Sequence, residues 1–185
     1  MVTLVILIVI VVGLGFYGIS LYNGLVRGRN EVKSAWSSID VQLKRRYDLI
    51  PNLMETVKGY AGHERQTLEA VVKARQQAIS FIGGIEERAK VENVLTQSLR
   101  SLFAVAEAYP DLKANQNFLA LQEELATTEN KIGFARQYYN DVAMRYKNNV
   151  EIFPSNIMAN LFGFRSEPFF QMEAAGERSA PQVKV

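Results

Sequence analysis

The chain opens with an uninterrupted run of apolar positions. Residues 2–22 read VTLVILIVIVVGLGFYGISLY and contain no charged side chain. At 1.5 Å per helical residue, about twenty such residues cross the roughly 30 Å of hydrocarbon in a bilayer. The run lacks the basic start, the short apolar core and the small-residue cleavage site of a signal peptide. We therefore predict an uncleaved transmembrane anchor over residues 1–23.

After the anchor, apolar residues recur at intervals of three and four, which is the period of an amphipathic helix. The first helix carries the stripe Val32, Trp36, Ile39, Leu43, Tyr47, Ile50, Leu53, Val57 and Tyr60. Because Pro51 lies inside this stripe, a kink or a break is expected near Asp48. A second helix is predicted from His63 to Ile82, where Gly83 and Gly84 end it. Its inward positions are Leu68, Val71, Ala78 and Ile82.

The second half of the chain repeats this pattern. A third helix is predicted over residues 85–108, with Pro110 ending it and a polar turn over 111–115. Its stripe is Val91, Leu95, Leu99, Leu102 and Val105. The fourth helix has the most regular heptad: Phe118, Leu121, Leu125, Thr128, Ile132, Ala135, Tyr139, Val142, Tyr146 and Asn149.

Four long helices joined by short turns predict an all-α fold. We expect an antiparallel up-and-down four-helix bundle over residues 24–150, following the transmembrane helix. The alternative treats residues 59–62 and Pro110 as kinks only. It gives two very long helices that form one hairpin around Gly83 and Gly84. Both arrangements return the chain to the end at which the anchor lies.

Phenylalanines cluster in residues 151–170, where the last helix returns toward the membrane. They are Phe153, Phe162, Phe164, Phe169 and Phe170. This segment is predicted to be an interfacial or interaction surface, and the equal alternative is that the rings close the open end of the bundle core. Residues 171–185 are small and polar and include a proline, which predicts a disordered tail.

Composition excludes several classes of function. The 21 basic and 19 acidic residues are spread along the chain, which argues against a nucleic-acid partner. With no cysteine and one histidine, His63, the chain offers no thiolate or multi-histidine metal site and no nucleophile with a base and an orienting group. The glycines at 13, 15 and 18 resemble a dinucleotide-binding turn, but the helical pattern downstream contradicts that fold. We expect no enzyme activity, no cofactor and no metal.

Two groups of residues are candidate contact sites. The first group is Ser20, Gly24 and Gly28, three small residues at four-residue spacing. Such a stripe allows another helix to approach closely. The alternative is that these are simply the small residues common in membrane helices. A polar patch consists of Arg45, Arg46, Asp48 and Asn52. The patch is either a lipid-headgroup contact, a solvated helix face, or a set of buried polar ties that fix helix register. The partners in such ties would be Glu123, Glu129, Asn130 and Arg136.

The flanks of the anchor predict its orientation. Arg27, Arg29 and Lys33 follow the span, while only the amino terminus is basic before it. By the positive-inside rule, the helical domain is expected in the cytoplasm and the amino terminus outside the inner cell membrane.

Two segments closely resemble the LemA family. They are YNGLVRGRNEVKSAWSSIDVQLKRRYDLIPNLMETVKGYAGHERQTLEAVVKAR and AYPDLKANQNFLALQEELATTENKIGFARQYYNDVAMRYKNNVEIFPSNIMANLFGF, which cover nearly everything except the anchor and the tail. The resemblance implies a bacterial single-span membrane protein with a four-helix bundle and no known enzyme activity. Similar proteins include a relative involved in magnetosome membranes, and LemA-like genes often lie near genes for membrane proteases.

Two hypotheses of function follow. The first is a scaffold, in which a homo-oligomer joined by its anchors, heptad faces and Phe-rich segment organises or shapes a membrane. The second is a monomeric adaptor that presents a helical surface to another membrane protein such as a protease, with the polar patch as the contact.

Overall fold

The computed structural model describes residues 1–170 and contains only helices in that range. The helices are α1 (Val2–Lys58), α2 (Arg65–Ser80), α3 (Ile85–Ala106), α4 (Pro110–Lys113), α5 (Gln116–Glu151) and α6 (Ser155–Phe162). Residues 59–64 lie outside any helix, so the first two predicted helices are separate elements rather than one kinked helix. The predicted tail, residues 171–185, lies outside the described residues.

The described chain divides into two compact units. The first contains Met1–Gln42 and Lys131–Phe169, and the second contains Leu43–Asn130 with Phe170. Helices α1 and α5 therefore contribute a segment to each unit. The second unit also holds α2 and α3, which pack on each other.

The first unit buries the stripes that the heptads predict. From α1 it buries Val32, Ala35 and Ile39, and from α5 it buries Ile132, Tyr139, Val142 and Tyr146. The rings of Trp36 and Tyr139 meet edge to face with centroids 5.6 Å apart. An ion pair joins Arg145 to Glu31 over 3.1 Å. Helices α1 and α5 thus share an apolar seam bordered by charged side chains.

The second unit has a core of the same kind. It buries Leu43, Ile50, Leu53 and Val57 of α1, Leu68, Val71 and Ala78 of α2, Leu95, Leu99 and Leu102 of α3, and Phe118 and Leu125 of α5. Asn115 accepts a hydrogen bond from the Phe118 N–H at 3.0 Å, which satisfies one unpaired donor at the start of α5.

A kink or a break was expected near Asp48; helix α1 continues through Pro51, so there is no break. Two further expectations about local structure need correction. Ile82 was predicted inward but is 98% exposed, because α2 ends at Ser80. The turn predicted over 111–115 contains the short helix α4. The Phe-rich segment contains α6, which ends at Gly163 in the left-handed conformation (φ 69°) that favours glycine.

The apolar start of the chain is helical, in agreement with the predicted anchor. Among residues 1–170, α1 is the one helix with a stretch long and apolar enough to cross a membrane by length and composition. None of that stretch is buried within the protein. The helix passes the predicted anchor boundary at residue 23 without interruption.

Candidate functional site

An aromatic cluster lies where α1 leaves the predicted anchor. The Tyr22 ring meets Phe162 and Phe164 edge to face, with centroid distances of 4.8 and 5.7 Å. The Arg29 guanidinium lies 5.1 Å from the centroid of the Phe164 ring, which is a cation–π distance. These contacts hold the chain around α6 against α1 at the end of the apolar run.

The five phenylalanines of the Phe-rich segment divide into two groups. Phe164 and Phe170 are buried and belong to the protein interior, as the core-closing alternative expects. Phe169 is half-buried, with Lys147 Nζ 5.9 Å from its ring centroid. Phe153 and Phe162 are 74% and 55% exposed. Only these last two rings are available to form an interfacial surface.

Helix α6 and the apolar start of α1 border an open, apolar groove of about 320 Å³. Its lining residues are Leu14, Gly15, Gly18, Ile19, Tyr22, Met158 and Phe162. The groove exists because glycines lie on this face of α1. A Cβ added at Gly18 would lie 3.9 Å from Met158 Cε, and one added at Gly15 would meet nothing within 4 Å. We call this feature the α6 groove.

The predicted small-residue stripe does not behave as one surface. A Cβ added at Gly28 would lie 3.0 Å from Cδ2 of Tyr146, so Gly28 is covered by its own chain. A Cβ added at Gly24 would meet nothing within 4 Å, and Ser20 is exposed. An open groove of about 400 Å³ lies on this part of α1, lined by Phe16, Ile19, Ser20, Asn23, Gly24 and Arg27. We call it the Gly24 groove.

A buried polar cluster lies in the second unit. Arg46 is fully buried and forms ion pairs with Glu92 of α3 and Glu129 of α5. Its Nη1 also donates to Thr96 Oγ1 at 3.0 Å. Glu92 is itself fully buried and accepts a second hydrogen bond from the Tyr47 hydroxyl. The cluster ties α1 to α3 and α5 through charged groups inside the core.

The burial of this cluster changes the electrostatics of its side chains. Burial raises the pKa of Tyr47 well above its usual value, and the hydrogen bond to Glu92 adds to the effect. Isolated charges are costly in a protein interior, whereas paired and hydrogen-bonded charges are tolerated and can fix helix register. Since Arg46 and Glu92 are inaccessible to solvent, the cluster has the position of a structural tie.

The four residues of the predicted polar patch point in different directions. Arg46 faces the core, while Asp48 and Asn52 are exposed. Arg45 forms a surface ion pair with Glu124, and both side chains are more than 40% exposed. Among the proposed partners, Glu129 contacts Arg46 and Arg136 is buried, whereas Glu123 and Asn130 are exposed.

Glu92 was missed because the third helix was assigned the apolar stripe through Val91. The structure buries Leu95, Leu99 and Leu102 as predicted, but the buried face continues through Glu92 and Ala89 rather than Val91. A buried Arg46 needs an acid, and Glu92 is the acidic residue on that face. A search for charge complementarity between stripes could have found it.

Another polar contact lies near the end of the first unit. The Tyr139 hydroxyl donates to the carbonyl oxygen of Pro168 at 2.8 Å. Burial, with a smaller effect from Glu167, raises the pKa of Tyr139 to about 12. Tyr139 thereby anchors the segment that follows α6 to α5.

The second unit also has a larger open groove of about 870 Å³ between the end of α1 and α2. Met54, Leu68 and Val72 supply apolar surface, and Lys58, Arg65, Glu69 and Lys73 supply charge. Within residues 1–170, no three His, Asp or Glu side chains are grouped as a metal site requires.

Comparisons with known proteins agree with one another. A model of the LemA family matches residues 35–185. Protein LemA from Metamycoplasma hominis is 26% identical over 149 residues, covering 80% of this chain and 68% of that protein. Magnetosome protein MamQ 2 from Paramagnetospirillum magneticum is 22% identical over 181 residues, covering 84% of this chain and 66% of that protein. Magnetosome protein MamQ from Magnetospirillum gryphiswaldense is 20% identical, with 88% and 70% covered.

Proposed function

Because the chain belongs to the LemA family, with a match over residues 35–185, we propose that it is a non-catalytic, self-assembling scaffold of a membrane. The N-terminal apolar helix and the relatives indicate a membrane protein. Three relatives carry the word magnetosome in their names. We propose that assembled copies organise or shape the membrane that holds the anchor.

The observation that carries self-assembly is the open surface at the Gly24 groove. Gly24 and Ser20 lie beside the exposed apolar residues Phe16 and Ile19 on α1. Small residues let two helix backbones approach closely, and helices in a bilayer associate through such packing. A second copy of α1 seated in this groove would join two chains at the end of the anchor.

Contacts within the second unit support an antiparallel bundle as the body of the scaffold. In the second unit, Asn115 donates a hydrogen bond to the Tyr60 hydroxyl and Arg45 pairs with Glu124, two contacts that support opposite directions for α1 and α5 there. Arg75 of α2 and Glu92 of α3 both contact Tyr47 of α1. We infer that these four segments form an up-and-down bundle.

The test is the mass of the full-length protein in detergent and in nanodiscs. We expect a defined oligomer for the natural sequence and a smaller species for the double variant Ser20→Leu/Gly24→Leu, because the leucines obstruct close helix approach. Gly13→Leu is the matched control, since Gly13 also meets nothing within 4 Å but lies outside the Gly24 groove. Gly28→Leu is unsuitable, because it would collide with Tyr146 of the same chain.

Each outcome decides between the hypotheses. An oligomer that the double variant weakens and Gly13→Leu leaves intact supports self-assembly through the Gly24 groove. An oligomer unchanged in the double variant contradicts that contact. Monomers for the natural sequence contradict the scaffold as a whole.

The alternative function is a monomeric adaptor for another membrane protein such as a protease. The large groove between the end of α1 and α2 favours it, because exposed apolar surface with a charged rim is typical of protein contacts. In-cell crosslinking from a photoreactive residue at Val72 tests this function. Adducts to one other membrane protein support the adaptor, and adducts to the same chain alone count against it.

We further propose that the helical domain lies in the cytoplasm of a bacterium and that the amino terminus lies outside. Arg27, Arg29 and Lys33 directly after the span support this orientation. Because the chain has no cysteine, a single Asp48→Cys variant can be labelled without background. Resistance of intact cells to a membrane-impermeant maleimide, followed by labelling after lysis, would support the orientation. Labelling in intact cells would reverse it.

A further inference from the structure

We propose that α6 lies in the membrane interface and that the α6 groove holds an acyl chain of a bilayer phospholipid. This inference is independent of self-assembly, because it concerns one chain and the lipid around it. It rests on the exposed side of α6, on the position of the groove beside the anchor, and on the basic residues that follow these segments along the chain.

The exposed surface of α6 and of the turn before it is apolar. Ile152, Ile157 and Leu161 are 58%, 57% and 72% exposed, and Phe153 and Phe162 are exposed as well. In water such a cluster would leave a large apolar area unprotected. An amphipathic helix at a bilayer surface places this kind of face among the upper acyl chains.

The contacts of α6 with α1 set its depth. Met158 lies against Gly18, and Phe162 meets the Tyr22 ring. Gly18 and Tyr22 belong to the last turn or so of the predicted span of residues 2–22, so they lie within about one helical turn of its boundary. Tyrosine and other amphipathic rings favour that boundary. The exposed face of α6 is therefore at the level where acyl chains meet headgroups.

The α6 groove opens beside these contacts. Leu14, Gly15 and Gly18 are residues of the predicted span, so the medium around this end of the groove is lipid. The volume of about 320 Å³ is at the lower end of the range of about 300–1,000 Å³ for small-molecule sites. An apolar lining without a charged group suits a hydrocarbon chain rather than a polar solute.

Basic residues follow these apolar segments along the chain, on the side away from the anchor. Arg27 and Arg29 follow the span on α1, and Arg165 follows α6. All three are exposed, and the Arg29 guanidinium lies over the ring of Phe164. Arginines with apolar stems beside a membrane surface extend their charge toward lipid phosphates. The apolar groove, the aromatic rings and the arginines follow one another in the same order as the acyl chains, the interface and the phosphates of one leaflet.

The first experiment places a single tryptophan on α6 in the full-length protein. In a Trp36→Phe background, Leu161→Trp is compared with Phe134→Trp in phosphatidylcholine nanodiscs. The two positions are matched in exposure, at 72% and 73%. Phe134 is about 25 Å before the end of α5 at 1.5 Å per residue, which removes it from the interface.

We expect acyl-brominated phosphatidylcholine to quench most of the fluorescence of Leu161→Trp and acrylamide to quench little of it. Phe134→Trp should show the opposite. Quenching of Leu161→Trp by acrylamide to the same extent as Phe134→Trp would overturn the interfacial position. Protection from both quenchers would also overturn it, because the face would then be covered by protein. The thermal transition of each variant, followed by circular dichroism, checks that it is folded.

The second experiment tests the groove itself. The full-length protein is irradiated in nanodiscs that contain phosphatidylcholine with a diazirine on its acyl chain, and the adducts are mapped by peptide. We expect adducts on the peptide with Met158 and Phe162. Gly15→Leu, which fills the groove, should remove most of them, and Gly13→Leu should leave them in place. Adducts on this peptide that Gly15→Leu does not reduce, or their absence from the natural sequence, would overturn the acyl-chain site.

Discussion

Arg75 donates a hydrogen bond from Nε to the main-chain carbonyl of Tyr47 over 2.8 Å. In a helix that carbonyl would accept from the N–H four residues later, but residue 51 is a proline and has none. The side chain of α2 therefore supplies the donor that the proline removes. This replacement of the missing hydrogen-bond donor explains in physical terms how α1 continues through Pro51.

The first prediction tests this relationship with a double-mutant cycle. Arg75→Met should destabilise the protein by about 1–3 kcal/mol, because it leaves the Tyr47 carbonyl without a donor in a partly buried place. In a Pro51→Ala background the new N–H can bond to that carbonyl, so the same substitution should cost about 1 kcal/mol less. Unfolding of the full-length protein in detergent, followed by circular dichroism, gives the four values.

Arg65→Met is the control for this cycle, since Arg65 is an exposed arginine of the same helix. Arg65→Met should reduce the free energy of unfolding only slightly, and by the same amount with Pro51 and with Pro51→Ala. Equal losses for Arg75→Met with and without Pro51 would show that the hydrogen bond does not compensate for the proline.

Pro51 also shows where sequence reasoning stops. Helical periodicity depends on residues close in the chain, so it placed α2, α3 and α5 within a few residues of their observed ends. It could show that a donor is missing at Pro51. The replacement comes from Arg75, in another helix, and no local pattern identifies it. Of the kink and the break that the proline allowed, the break is absent for that reason.

The sequence identified some residues of the candidate sites and missed others. The link between Arg46 and Glu129 joins two residues that the sequence had proposed as a polar tie. The more deeply buried partner, Glu92, was hidden because hydrophobicity alone assigns a glutamate to the surface. Gly28 was grouped with Gly24 by spacing, yet only the fold shows that Tyr146 covers it.

The second prediction concerns the two neighbouring arginines. Glu92→Gln removes a buried partner of Arg46 and should cost about 3–5 kcal/mol, because it leaves a buried charge incompletely paired. Glu124→Gln removes the partner of Arg45, whose pair is exposed, and should cost less than about 1 kcal/mol. Thermal unfolding of both variants in the same detergent gives the comparison.

The double variant Arg46→Met/Glu92→Leu sharpens this test. Replacing a buried pair with apolar residues of similar volume often restores the stability that a single removal loses. We expect it to be more stable than Glu92→Gln. If Glu92→Gln and Glu124→Gln cost the same, the buried cluster does not tie the helices as described.

The third prediction is a loss of stability in alkali that depends on Tyr139. Its pKa is raised from 10.0 to about 12 in the folded protein. Between these values the unfolded chain releases the proton first, so the unfolded state binds fewer protons and stability falls as pH rises. The contribution is fully present below pH 10 and is lost by about pH 12.

Tyr139→Phe removes this titration. The variant should be less stable at neutral pH by about 1 kcal/mol, because the hydrogen bond to the Pro168 carbonyl is lost. Its melting temperature should then fall less steeply than that of the natural sequence above pH 10. Parallel pH profiles for the two proteins would contradict the assignment.

The last prediction separates the two glycines of the predicted stripe. A Cβ at Gly24 meets nothing within 4 Å, so Gly24→Ala should stabilise α1 by about 0.8–1 kcal/mol through helix propensity alone. A Cβ at Gly28 would lie 3.0 Å from Cδ2 of Tyr146, whose side chain is buried and has little room to move. The resulting overpacking of about 1–3 kcal/mol should exceed the propensity gain, so Gly28→Ala should destabilise the protein.

A variant of Tyr146 tests whether its ring causes the difference between the two glycines. Tyr146→Leu creates a cavity and should destabilise the protein on its own, but it also removes the ring atoms that a residue-28 methyl group would meet. Gly28→Ala should therefore become neutral or stabilising in the Tyr146→Leu background, while Gly24→Ala keeps the same gain in both backgrounds. Melting temperatures of the six proteins in one detergent measure the coupling. If Gly28→Ala has the same effect with and without the ring, Tyr146 does not cover Gly28, and Gly28 is again available to a second helix.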